Sequence, residues 1–130
     1  RKGVYGLFKL LNISYKEKMM NVYDTANKLA YEIRCTEEYT VFKEMRKDIK
    51  LNSELYKKIT EFEQLRYKEQ LDTMKNGKTD EQQLNEIKKK YAELLNNEMA
   101  RKYFDAELKF NMLIADVNKI IADSVKEMYN

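Results

Sequence analysis

Four tyrosines within residues 20–130 stand directly beside basic residues: Tyr56 before Lys57-Lys58, Tyr67 between Arg66 and Lys68, Tyr91 after Lys88-Lys89-Lys90, and Tyr103 after Arg101-Lys102. Rings and cations interleaved in this way could grip single-stranded nucleic acid, the bases stacking on the phenols while the cations hold phosphates. Acidic residues accompany every cluster, however: Glu54, Glu61, Glu63, Glu69, Glu86, Glu93, Glu98 and Asp105. The competing reading puts each tyrosine at the edge of a buried stripe with solvated lysine and arginine beside it. The distribution of charge favours that second reading. Residues 1–19 hold Arg1, Lys2, Lys9, Lys16 and Lys18 against Glu17, a surplus of four, so a net charge of +3 leaves −1 for residues 20–130. A domain built to bind nucleic acid concentrates positive charge in its folded part, and nucleic acid is not the expected partner of residues 20–130.

Other chemistry is narrower still. The chain has no histidine, which removes His-ligated metal sites, Cys–His nucleophiles, Ser–His–Asp triads and the Glu-x-x-His pairs of helical di-iron proteins. Its serines, Ser14, Ser53 and Ser124, stand in no nucleophile-elbow context, and no glycine-rich phosphate loop occurs. The carboxylate pairs Glu37/Glu38, Glu61/Glu63 and Asp105/Glu107 are neighbours in sequence, but residues two apart on a helix do not converge unaided. They are expected to be solvated or ion-paired. Cys35 follows Arg34, which would modestly favour its thiolate; a buried or half-buried structural thiol is the expected outcome. No catalytic, cofactor-binding or metal-ligating residue is therefore expected, and the chain does not read as an enzyme.

The elements that position these residues are helices. In 130 residues there is no proline, and glycine occurs only at Gly3, Gly6 and Gly77; 43% of the residues are hydrophobic and 36% charged. Such a chain has little to end a helix with and lacks the alternation of a sheet protein. The prediction is an all-α fold, an antiparallel bundle of about five helices with a long C-terminal helix. One cysteine excludes an intramolecular disulfide and fits a reducing compartment such as the cytosol. No stretch approaches the ~18 apolar residues of a membrane span. The apolar "GVYGLFKLLNI" is followed by charge rather than a small-residue cleavage site, so export is not expected.

Along the chain, Val22, Ala26, Leu29, Ala30 and Ile33 share one helical face, and Thr36 is placed to cap a second helix carrying Tyr39, Phe42, Met45 and Ile49. Asn52 or Ser53 caps a third, with Leu55, Ile59, Phe62 and Leu65 inside. Asn76-Gly77 ends it, and Thr79 with Gln82 forms a capping box for a fourth stripe of Leu84, Ile87, Tyr91 and Leu94. Asn96-Asn97 is read as a break or kink. The last segment carries Met99, Tyr103, Ala106, Phe110, Leu113, Val117 and Ile120 at alternating spacings of four and three, a coiled-coil-like seam. Ile114 and Ile121 widen it. Phe110, Leu113, Ile114, Val117, Ile120 and Ile121 are therefore the candidate core seam or oligomer interface, pointing to a homodimer or higher homo-oligomer.

Residues 1–19 form a leader apart from the 20–130 body. Lys16-Glu17-Lys18 before Met19-Met20 is encodable by purine-only codons resembling a ribosome-binding sequence, so translated upstream sequence with a start at Met19 or Met20 is expected. The rival is an amphipathic N-terminal helix through Val4, Leu7, Phe8, Leu11 and Tyr15.

Three segments together resemble the YheA/YlbF/YmcA family of small bacterial proteins: "NVYDTANKLAYEIRCTEEY", "LNSELYKKITEFEQLR" and "DAELKFNMLIADVNKII". The resemblance runs from Met20 or Asn21 to about Tyr129. It implies a helical bundle that forms dimers or larger oligomers and acts as a non-enzymatic regulator in complex with other proteins. Family members that hold an iron–sulfur cluster carry several cysteines; with Cys35 alone, this chain is most similar to the YheA branch, and no functional residue carries over. The resulting expectation is a cytosolic, self-associating interaction or regulatory protein without cofactor, its protein partner unidentified. The alternative is an RNA- or DNA-associated protein using the Tyr/Lys clusters.

Overall fold

The computed structural model describes residues 21–130, so the expectations for the leader lie outside the described residues. Among the described residues the backbone is helical almost throughout, and no strand occurs. The helices are α1 at residues 21–34, α2 Glu37–Leu51, α3 Ser53–Asn76, α4 Glu81–Leu94 and α5 Glu98–Ser124, followed by a 3-10 turn, Lys126–Tyr129. The chain forms two compact units divided between Tyr39 and Thr40.

In the first unit, α1 ends where Thr36 interrupts the backbone pattern. The Thr36 hydroxyl donates to the Ile33 carbonyl at 2.6 Å and accepts the Tyr39 N–H at 3.2 Å, so one side chain closes α1 and opens α2. Leu29, Ala30 and Ile33 are half-buried, whereas Val22 and Ala26 are exposed. Cys35 is exposed, contrary to the expectation of a buried or half-buried thiol. It sits in the turn past the last residue of α1, off the apolar stripe.

The second unit, from Thr40 onward, is stitched by polar caps at each junction. Asn52 alone separates α2 from α3, and its side-chain oxygen accepts the Leu55 N–H at 3.2 Å. Gly77 ends α3 in the left-handed region (φ 73°), where a side chain would be strained, and its N–H reaches the Thr73 carbonyl at 2.9 Å. Asn97 breaks α4 from α5 and caps the latter through the Ala100 N–H at 3.0 Å. One expected cap is corrected: Asp80, not Thr79, opens α4, accepting the Gln82 and Gln83 N–H groups at 3.0 and 3.4 Å. A carboxylate one residue nearer the helix satisfies two donors and opposes the positive end of the helix dipole.

Pairwise contacts fix the directions. Phe62 meets Tyr91 and Asp72 meets Gln83, so α3 and α4 form an antiparallel hairpin. Glu63 meets Tyr103 and Arg66 meets Glu107, so α3 and α5 run parallel. Arg46 meets Tyr103 and Phe42 meets Phe110, so α2 is antiparallel to α5. The core between them comprises Ile49, Leu55, Ile59, Phe62, Leu94, Ala100, Tyr103 and Phe104, with Phe42, Met45, Ile87, Leu95 and Met99 packed around it. Every predicted stripe of α2 to α4 contributes to it. Aromatic rings give it its specificity: Phe62, Tyr91 and Phe104 meet pairwise with centroids 5.2–5.7 Å apart, two of the three contacts edge to face.

Candidate functional site

α5 presents Tyr103 to the junction of α2 and α3. The residue is only 2% exposed, and its ring packs on Phe42 and Phe104 at 5.6 and 5.3 Å. A buried phenol needs a partner for its hydroxyl. Here the hydroxyl donates to Glu63 Oε1 at 2.7 Å and accepts from Arg46 Nη1 at 3.3 Å. Four residues along α5, Glu107 pairs with Arg66 at 3.3 Å. Each guanidinium also lies over a ring, Arg46 over Phe42 at 5.7 Å and Arg66 over Phe62 at 5.4 Å. The i, i+4 spacing of Tyr103 and Glu107 on α5 meets the i, i+3 spacing of Glu63 and Arg66 on α3 to give two polar rungs across parallel helices.

These rungs floor a groove of about 480 Å³ lined by Phe42, Arg46, Glu63, Arg66, Tyr67, Gln70, Glu107 and Asn111. It adjoins, through Arg46 and Glu63, a smaller hollow of about 120 Å³ that reaches Lys50, Tyr56 and Thr60. Burial first, then the hydrogen bond to Glu63 and the charges of Glu63 and Glu107, push the Tyr103 hydroxyl far above the usual tyrosine range, against the opposing pull of Arg46. Tyr103 is therefore held as a neutral donor and has no role as a base. No buried side-chain polar atom among the described residues lacks a partner.

The other sequence candidates scatter. Of the basic-aromatic clusters, Tyr103 is buried and Tyr91 stacks against Phe62, while Tyr67 is 62% exposed and Tyr56 is also exposed. The carboxylate pairs do not converge: Glu63 serves Tyr103, Glu107 holds Arg66 and Asp105 pairs with Lys109 at 3.0 Å. Among the described residues no three of cysteine, aspartate and glutamate cluster to hold a metal ion, and no helix is long and apolar enough to cross a membrane. Along the α5 seam, Phe110, Leu113, Ile114 and Val117 are half-buried, whereas Ile120 and Ile121 are 70% and 53% exposed. The Arg46–Tyr103–Glu63 junction was invisible in the sequence, because its members lie 40 and 57 residues apart. The one available signal was a tyrosine on a seam of otherwise apolar residues, since a phenol inside a core must find a polar partner.

Residues 22–126 match the protein family described as "Control of competence regulator ComK, YlbF/YmcA". The chain belongs to the YlbF/YmcA family. Proteins of similar sequence include the UPF0342 protein of Pediococcus pentosaceus, 31% identical over 114 residues, covering 85% of this chain and 96% of that protein. The UPF0342 protein of Alkalihalophilus pseudofirmus is 28% identical over 111 residues, covering 85% of this chain and 94% of its own length. Among solved structures, a protein of unknown function (DUF964) from Bacillus stearothermophilus superposes with a TM-score of 0.72 at 17% identity, covering 85% of this chain and 96% of that one. At that identity the likeness establishes the fold of this YlbF/YmcA member and nothing finer.

Proposed function

We propose that this YlbF/YmcA-family chain is a non-enzymatic regulatory protein of the cytosol that works by protein–protein contact and self-associates through the C-terminal half of α5. The observation that carries the reading is the apolar surface left on that half-helix: Ile120 and Ile121 stand exposed beside the half-buried Phe110, Leu113, Ile114 and Val117. Val125, Met128 and Tyr129 extend the exposed apolar run past the helix end. Burying such surface is worth about 25 cal/mol per Å², and contiguous exposed apolar patches mark interaction sites. Two copies pairing these faces about a two-fold axis would cover both at once.

The family's description as a control of a competence regulator supports a regulatory, non-enzymatic role. The lone, exposed Cys35 is consistent with a reducing compartment. It also supports placement near the YheA branch rather than among members carrying several cysteines. The nucleic-acid alternative is weakened because Tyr103 and Tyr91 are engaged in packing.

Static light scattering on the full 15.7 kDa chain at micromolar concentration tests the reading. A mass of twice that value or more is expected. A monomer across the micromolar range would overturn self-association.

A further inference from the structure

We propose that two copies of the chain pair the ends of α5 antiparallel, about a two-fold axis beside Ile121, with Asp116 of each copy against Lys126 of the partner subunit. This rests on the reading that the chain self-associates through α5, and it adds the orientation and register of that contact.

Leu113, Ile114, Val117, Ile120 and Ile121 recur at steps of three and four, so they share one side of α5. Past the helix the apolar run continues through Val125, Met128 and Tyr129, all exposed. That turn is tied to the helix end: the Val125 N–H reaches the Ala122 carbonyl at 3.2 Å, and the Met128 N–H reaches the Val125 carbonyl at 3.0 Å. Asp116 and Lys126, both exposed, border this surface and take part in no ion pair among the described residues. Asp116 stands one turn from Leu113 and one turn from Ile120. Lys119 and Asp123 belong elsewhere. They hold each other at 4.0 Å, and each lies two residues from Ile121 and so points to a different side.

The order of these residues is symmetric about Ile121. Val117 and Val125 stand four residues to either side of it, Asp116 and Lys126 five, Ile114 and Met128 seven, and Leu113 and Tyr129 eight. An antiparallel two-fold pairing sets each residue opposite the one equally far along the other side in the second copy. Apolar then meets apolar across the face, and the two bordering charges without a mate in their own chain meet their opposites. Ala115, which would stand opposite the partner's Glu127, is two residues from Leu113 and Val117 and lies off the face. A parallel pairing instead sets Asp116 beside Asp116 of the partner subunit and Lys126 beside the partner's Lys126, like charge on like charge. The antiparallel contact runs from Leu113 to Tyr129, about 25 Å at 1.5 Å per residue. Its apolar face supplies affinity, and its rim charges choose orientation and register.

Disulfide trapping on the full chain with Cys35→Ser tests this, under copper–phenanthroline oxidation and read by mass spectrometry. Ile121→Cys is expected to link to its own copy, and a mixture of Ile114→Cys with Met128→Cys to give the mixed product. Met128→Cys alone should stay unlinked, its two copies lying about 20 Å apart. Self-linked Met128→Cys without the mixed product would show parallel pairing and overturn the proposal. So would an unlinked Ile121→Cys chain whose light scattering still gives twice the 15.7 kDa mass; in both cases self-association stands. A monomer by scattering would remove self-association and the register together. Charge reversal gives a second, independent readout on exposed residues that leave the fold intact. Asp116→Lys and Lys126→Asp should each weaken dimerisation about tenfold, two rim pairs being lost per dimer, and the two combined should restore it. No recovery in the combined variant would overturn the Asp116–Lys126 pairing.

Discussion

Tyr103 concentrates several physical demands in one side chain. It fills core volume, joins three helices through one oxygen, and keeps its proton because burial and two nearby carboxylates disfavour the phenolate. Replacing it with phenylalanine keeps the ring contacts but removes a hydrogen bond to a carboxylate. Tyr103→Phe should cost about 1–2 kcal/mol at neutral pH, read by urea unfolding. The pH dependence follows from the direction of the shift. The folded state holds the proton more tightly than the unfolded chain, so the stabilisation is complete below the ordinary tyrosine value of 10.0 and is lost as pH rises above it toward the raised folded value. The wild type should therefore lose stability between about pH 10 and 11 at up to about 1.4 kcal/mol per pH unit more steeply than Tyr103→Phe. Parallel stability curves for the two proteins over that range would count against a perturbed Tyr103.

At the level of elements, the junctions are where single residues decide helix limits. Asp80→Ala should destabilise the α3–α4 hairpin by about 1 kcal/mol, while Thr79→Ala should be near neutral; thermal melts of the two variants decide which residue is the cap. Gly77→Ala should cost about 1 kcal/mol through its positive φ alone, since a Cβ there meets nothing within 4 Å. The stripes through Ile49, Leu55, Ile59, Phe62 and Leu94 could be read from spacing because period and side-chain type carry that information locally. The helix breaks at Asn52 or Ser53 and at Asn96-Asn97 were legible as polar residues between apolar runs, but the capping role of Asn97 emerges only from the structure. The choice between Thr79 and Asp80 was not legible, because adjacent candidates differ only in backbone geometry. The exposure of Cys35 was likewise hidden in the sequence, being set by where the turn after α1 points the side chain. The groove was least legible, since each of its walls comes from a different helix and its polar rungs are long-range.

For the whole molecule, the exposed end of α5 separates folding from assembly. Ile120 and Ile121 bury little within one chain, so Ile120→Lys with Ile121→Lys should barely move its melting temperature when dilute. In an assembly that covers them, each isoleucine is worth about 1.5–3 kcal/mol. The double variant should then weaken self-association by at least about 100-fold, seen by light scattering as a shift toward the 15.7 kDa chain. Val117→Lys should do both, lowering stability as well as mass, because Val117 is half-buried within the chain. An unchanged mass in the double variant would remove Ile120 and Ile121 from any interface. The touching rings from Phe110 through Phe42, Tyr103 and Phe104 to Tyr91 and Phe62 have an optical corollary. The chain has ten tyrosines and no tryptophan, so excitation at the red edge of indole absorption, beyond that of tyrosine, finds no native fluorophore. A single indole placed at Tyr91, whose ring already tolerates partial exposure, would therefore emit against a dark background, its colour reporting whether the aromatic array is assembled.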